Sequence, residues 1–120
     1  MSNGSSSHFI SLQKAIEMTT RYRQNKEAVT NPTYAGRNIL AICDKFDRSM
    51  FEILLAKQGC VAIRLYYGME VDLTIHPIVV AVNQNDEDIL PSDGNLEGDD
   101  IGDDTLRCPP YCPVPSPLNQ

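Results

Sequence analysis

Cys60-Val-Ala-Ile-Arg-Leu-Tyr-Tyr-Gly-Met-Glu-Val-Asp-Leu-Thr-Ile-His-Pro-Ile-Val-Val-Ala-Val-Asn83 is the stretch whose reading decides the fold. Its apolar residues recur at every second position, the repeat of a strand whose side chains alternate between two faces. Over 60–69, Val61, Ile63, Leu65 and Tyr67 point one way, and Ala62, Arg64 and Tyr66 the other. Gly68 and residues 70–72 read as a turn. Residues 73–83 form the strongest strand, carried by Ile75, Ile78, Val79, Val80 and Val82. Pro77 cannot donate to a ladder, so it predicts an edge strand or a bulge. Asn83-Gln-Asn-Asp86 makes another turn, after which Asp88-Ile-Leu90 predicts a short third strand.

Upstream the period lengthens. Leu12, Ala15, Ile16, Thr19 and Tyr22 recur at helical steps and predict a helix over 11–29, with Ser11 as N-cap and Asn31-Pro32 as its stop. Residues 30–43 read as a loop ending in a short apolar stretch. Asp44 or Asp47 then caps a second helix with the buried stripe Phe46, Met50, Phe51, Leu54 and Leu55, ended by Gly59 in a left-handed conformation. The fold class expected is α+β: two helices packed on a small antiparallel β-meander, with a disordered or extended C-terminal tail. The organisation follows: a disordered Ser/Gly-rich segment over 1–9, a compact core over 10–91, an acidic Gly/Asp-rich linker over 92–107, and a Pro/Cys-rich tail over 108–120.

The 120 residues amount to one domain, and the net charge of −6 is unevenly spread. Nine acids and no base lie between Asp86 and Asp104, which reads as a solvated or partner-facing run. The rest of the chain is mildly basic but carries no dense basic stripe with stacking aromatics, which argues against nucleic acid as a partner. No apolar run reaches the ~18–20 residues that span a bilayer, and the N-terminus lacks the pattern of a secretory signal. A cytoplasmic protein is expected, with Cys43, Cys60, Cys108 and Cys112 as reduced thiols.

Three features could carry chemistry. In Asp93-Gly-Asn-Leu-Glu-Gly-Asp-Asp-Ile-Gly-Asp-Asp104, the oxygens of Asp93, Asn95, Glu97 and Asp104, with Gly98 between, follow the ligand spacing of an EF-hand calcium loop. Asp100 stands at a normally apolar position, and no helix can enter at Pro91 or leave into Cys108-Pro-Pro. A solvated linker is the better reading. Cys108-Pro-Pro-Tyr-Cys112-Pro113 sets two thiols four apart on a stiff backbone, which could converge on Zn(II) or Cu(I), pair as a local disulfide, or serve only as a docking peptide. The string is similar, over six residues, to the Cys-Pro element of Sco-type copper chaperones. The thioredoxin-like context of those proteins cannot follow in the eight residues left here. Cys43 and Cys60 adjoin apolar residues and read as small buried hydrophobes rather than further ligands. His76 reads as a hydrogen-bonded strand residue, and Arg64 and Tyr66 share a strand face with no evident partner.

Asn38-Ile-Leu-Ala-Ile-Cys-Asp-Lys-Phe-Asp-Arg48, Arg64-Leu-Tyr-Tyr-Gly68 and Cys108-Pro-Pro-Tyr-Cys-Pro-Val-Pro-Ser-Pro-Leu-Asn119 resemble a small bacterial protein family with a Cys-Pro-x-Tyr-Cys-Pro tail. The resemblance spans about residues 10–119. It brings no known activity, and implies that core and tail belong together.

No nucleophile elbow, phosphate loop or spaced acid–base pair is present, so the expected class is not an enzyme. The reading is a protein-interaction or structural module without a cofactor. Its acidic, proline-rich tail (Pro109, Pro110, Tyr111, Pro113, Pro115, Pro117) docks on a protein partner or another copy. The alternative is a Zn or Cu(I) binding or thiol-redox accessory protein using Cys108 and Cys112.

Overall fold

The computed structural model describes residues 8–91, 101–103 and 105–120. Most of the expected N-terminal disorder, and the EF-like ligands Asp93, Asn95, Glu97 and Asp104, lie outside the described residues.

The fold is α+β, and the described residues form two α-helices, a short 3-10 turn (Pro32–Tyr34) and two antiparallel sheets. Strand β2 (Ala62–Met69) and strand β3 (Ile75–Val82) pair from Ala62 opposite Val82 to Met69 opposite Ile75. Their turn is closed by the Glu70 amide on the Thr74 carbonyl (2.9 Å), and Leu73 sits at φ 74° inside it. Helix α2 (Arg48–Leu55) starts at Asp47, whose carboxylate accepts from the Ser49 amide at 3.0 Å. Of the two expected caps, Asp44 instead falls in a strand.

The core follows from these two elements. Ile63, Leu65, Val79 and Ala81 share one sheet face, because directly opposed residues project to the same side. Leu54 descends from α2 onto Val79 and Ala81, with Phe46, Met50, Cys60, Ile63 and Ile89 around them. Leu54 is 1% exposed; burying such a side chain contributes about 1.5–3 kcal/mol. Phe46 and Phe51 meet edge to face with centroids 5.2 Å apart. Val79 to Val82 are all buried, so this end of β3 is covered on both faces.

Several elements depart from the sequence reading. The third strand of the meander is β4 (Ile101–Gly102), paired with Val79 and Val80, whereas 88–90 gives only a bridge from Asp88 to Val82 and the Ile89 amide on the Ala81 carbonyl. Gly102 explains the choice. A Cβ there would lie 3.1 Å from Val79 Cγ2 and 2.8 Å from Met50 Cγ, so any larger residue would have to push the Met50 side chain aside to approach this closely. β3 is thus the central strand rather than an edge. Pro77 is tolerated because β4 pairs with Val79 and Val80, and among the described residues β3 has a single neighbour, β2, at Pro77.

Strand β1 (Cys43–Phe46) starts at the last residue of the expected loop and takes in Asp44 and Phe46, expected to cap and line the second helix; it pairs with β5 (Thr105–Cys108) to form the second sheet. Chain beyond Pro91 therefore contributes a strand to each sheet. Helix α1 (Leu12–Asn25) is shorter than the expected 11–29. Ser11 caps it through the Lys14 amide at 3.0 Å, and beyond Asn25 the chain turns so that the Glu27 carboxylate reaches the Gly36 amide at 2.9 Å. No residue of α1 is fully buried.

Candidate functional site

The tail begins inside the fold. Cys108 closes β5 opposite Cys43 and is 2% exposed, and the Ile42 amide donates to its carbonyl at 2.8 Å. The chain then reverses. The Tyr111 amide returns to the Arg107 carbonyl at 2.8 Å, which brings Cys112 within 4.6 Å (Cα–Cα) of Cys108, and the two are joined as a disulfide. The thiols expected to be reduced are bonded to one another here, and a bonded pair offers no thiolate to a metal. Cys112 itself is exposed, while Cys43 and Cys60 are free and half-buried.

The far end of the tail is held by α1. Arg23 Nη1 donates to the Leu118 carbonyl at 2.5 Å, and Nη2 donates to the Gln120 carbonyl. Asn119 folds the intervening loop by accepting from the Ser116 amide (3.0 Å) and donating to the Val114 carbonyl (3.2 Å). Between these anchors Pro110, Pro113, Pro115 and Pro117 are exposed, with Tyr111 at 63% and Val114 at 83%. Pro109, beside the disulfide, is half-buried.

A second convergence joins the tail to the core. Arg107 donates through Nη2 to the carbonyls of Asn38 and Ile39, and the Ile39 carbonyl also receives the Ile75 amide at 2.9 Å. Lys26, buried at the end of α1, donates to Asn38 Oδ1 and to the Leu40 carbonyl, both at 3.1 Å, and to Glu27 Oε2 at 2.9 Å. The Tyr22 hydroxyl donates to the Ala41 carbonyl. Burial pushes the Tyr22 phenol above its ordinary range, with Arg107 opposing and the Asp44 and Glu27 carboxylates adding to the rise. Asp44 is anchored by the Thr105 hydroxyl at 2.9 Å.

The other face of the β2–β3 hairpin carries a charged network. Arg64 Nη1 lies 2.5 Å from Asp88 Oδ1, Nη2 meets Asp86, and the Tyr66 hydroxyl donates to Asp88 Oδ2. Arg64 and Tyr66, without evident partners in the sequence, thus receive them from the turn after β3. The Tyr66 hydroxyl, and then Arg64, hold the Asp88 carboxyl below the usual carboxylate range. His76 Nε2 lies 3.0 Å from Thr74 Oγ1, whose hydroxyl donates to Asp72 Oδ1 at 2.6 Å. Thr74, through its hydroxyl and its amide, lowers the Asp72 carboxyl. This chain ties the hairpin turn to its strand and presents no nucleophile.

Where α2 no longer covers the sheet, Leu65, Tyr67, Ile75 and Pro77 line an open apolar pocket of about 470 Å3, flanked by residues of α1, β1 and the 40–41 segment. Among the described residues, no group of three or more His, Cys, Asp or Glu side chains is arranged to hold a metal ion. Among them, too, no helix is long and apolar enough to cross a membrane. No protein-family model, no characterised protein and no solved structure matches the chain.

Proposed function

We propose that the chain is a non-enzymatic protein-interaction module that displays residues 109–117 as a docking segment. The observation that carries this reading is the pair of anchors around an exposed, proline-rich loop: the disulfide at one end and Arg23 at the other. Exposed Tyr111 and Val114 between fixed ends supply apolar contact whose ordering cost is already largely met, which favours affinity. A protein partner or a second copy of the chain fits this chemistry; in the cytoplasm, its expected place, the anchor at Cys108 acts while that bond is oxidised. A photo-crosslinking residue at position 114 tests it in intact cells. Adducts with one discrete protein, or with the chain itself, are expected at 114. They should be absent at position 71, where Val71 is fully exposed on the hairpin turn. Equal, diffuse adducts at both positions would overturn the reading.

The Cys108–Cys112 bond favours a second reading, a thiol-redox accessory protein. In a reducing cytoplasm a disulfide is more often exchangeable than structural. Zn or Cu(I) would require the bond to be reduced first. Mass measurement of the reduced protein with one equivalent of either ion, beside a Cys108→Ser/Cys112→Ser variant, tests that form.

A further inference from the structure

We propose that Cys43, Cys108 and Cys112 together form a thiol–disulfide exchange site, with Cys43 as the internal thiol. The inference rests on the thiol-redox reading for the presence of the Cys108–Cys112 bond, and adds a residue and a reaction to it.

The placement comes from strand register. Cys43 and Cys108 are directly opposed in the antiparallel β1–β5 pair. Opposed residues of such a pair have Cα atoms about 4.5–5.5 Å apart and project to one face, within the ~4.4–6.8 Å over which cysteines can be bridged. The strands are tied on both sides of Cys43, by the Ile42 amide on the Cys108 carbonyl (one residue out of the ladder's register, at its end) and by the Thr105 hydroxyl on Asp44. Cys108 therefore has a bonded partner four residues along the chain and a free thiol across the ladder. The buried sulfur is the shared member, and the exposed one, Cys112, is the leaving group.

The step balances without an added oxidant. Cys43 loses its proton, and its thiolate attacks Cys108 Sγ. A Cys43–Cys108 bond forms as the Cys108–Cys112 bond breaks, and the electron pair leaves on Cys112 Sγ, which takes up a proton from water. One disulfide is exchanged for another, and the free thiol moves from a half-buried strand to the surface. The Cys112 thiolate can then attack an exposed disulfide of a small molecule or peptide, forming a mixed disulfide at Cys112 and releasing the other half as a thiolate. An accessible disulfide is thus the substrate class. The same exchange also frees Tyr111 and the docking segment from the anchor at Cys108.

The test uses oxidised full-length Cys60→Ser protein at low concentration, incubated with iodoacetamide at mildly alkaline pH and mapped by non-reducing peptide mass spectrometry. Alkylation traps whichever thiol is free. Label should accumulate at Cys112 together with a Cys43–Cys108-linked peptide, and faster as pH rises, since the thiolate is the attacking species. In Cys43→Ser and Cys43→Ala proteins, the Cys112 label should be lost. Label confined to Cys43 with Cys108–Cys112 intact after prolonged incubation would overturn the exchange while leaving the thiol-redox reading in place. No disulfide in the freshly oxidised protein would remove both.

Discussion

The β2–β3 hairpin and the β1–β5 pair are both antiparallel, yet they rest on different interactions. Eight opposed pairs in the hairpin follow from one short turn, and one face of the ladder is covered by Leu54 of α2. The β1–β5 pair has four, and its Asp44–Thr105 contact joins residues 61 apart. Closing so long a loop costs more entropy than closing a turn, though only about 0.6 kcal/mol for each doubling of length. What compensates is mainly polar: Arg107 on two carbonyls, Thr105 on Asp44, and a buried Cys108. The hairpin is held by hydrophobic burial, whereas the second sheet places one residue, Phe46, against that core and is otherwise tied by hydrogen bonds from side chains.

Cutting the chain after Pro91 should break the comparison most severely. It removes β4, β5 and every Arg107 contact, and exposes Val79 beside the place Gly102 fills. The urea midpoint should fall further than in any point variant below. A truncated chain that melts at the full-length midpoint would show that β1 needs no partner.

Leu54→Ala comes next. It opens a cavity under α2 and should cost about 2–5 kcal/mol in chemical denaturation. A loss below about 1 kcal/mol would mean that α2 is not what secures the hairpin.

Arg107→Met keeps most of the stem but leaves the Asn38 and Ile39 carbonyls without its guanidinium. Hydrogen bonds to a charged group contribute about 1.5–3 kcal/mol each in favourable cases, so about 2 kcal/mol is expected for this half-buried donor. Combined with Leu54→Ala, the losses should add to within about 0.5 kcal/mol if the polar ties of β5 act independently of the core that Phe46 shares with the hairpin. A larger coupling would show that those ties and the core stand or fall together.

The smallest effect is that of pH. The Asp88 carboxyl is held low in the folded protein, chiefly by the Tyr66 hydroxyl. Its contribution to stability is therefore complete above the ordinary carboxylate range and is lost as pH falls through the lowered value. Tyr22 is raised, so its contribution is complete below the ordinary tyrosine range and is lost at higher pH. Stability of wild type minus Asp88→Asn should shrink on acidification. A difference that stays constant into strong acid would mean that the network leaves Asp88 unperturbed.

The same contrast explains what the sequence makes legible. Alternation over Ile63–Leu65, the unbroken apolar run over Ile78–Val82, and the Asp47 cap before Phe51 and Leu54, are local patterns, and the elements they imply are present. β1 is hidden because Cys43-Asp-Lys-Phe46 shows no alternation, and its Asp44 and Phe46 fit the cap and first apolar position of a helix. β4 is two residues long and owes its place to a missing side chain at Gly102, which leaves no hydrophobic signal. The partners of Arg64 were in plain view as Asp86 and Asp88, but only the turn after β3 brings them onto the strand face. The Cys108–Cys112 spacing left three outcomes open, because nothing in six residues says whether the chain reverses between them. The return of Tyr111 to Arg107 decides it.

One segment that is neither helix nor strand has an experimental consequence. From Asn38 to Ala41, four successive carbonyls accept bonds from α1, β3 and β5. Hydrogen exchange reads amide protons, so a segment held through its oxygens can exchange freely while being firmly tied. Isotope-edited infrared spectroscopy would detect it instead. Carbon-13 carbonyls placed at Ile39 and Leu40 should absorb at lowered frequency in the folded protein. They should move back together on unfolding, reporting the meeting point of α1, β3 and β5 in one band.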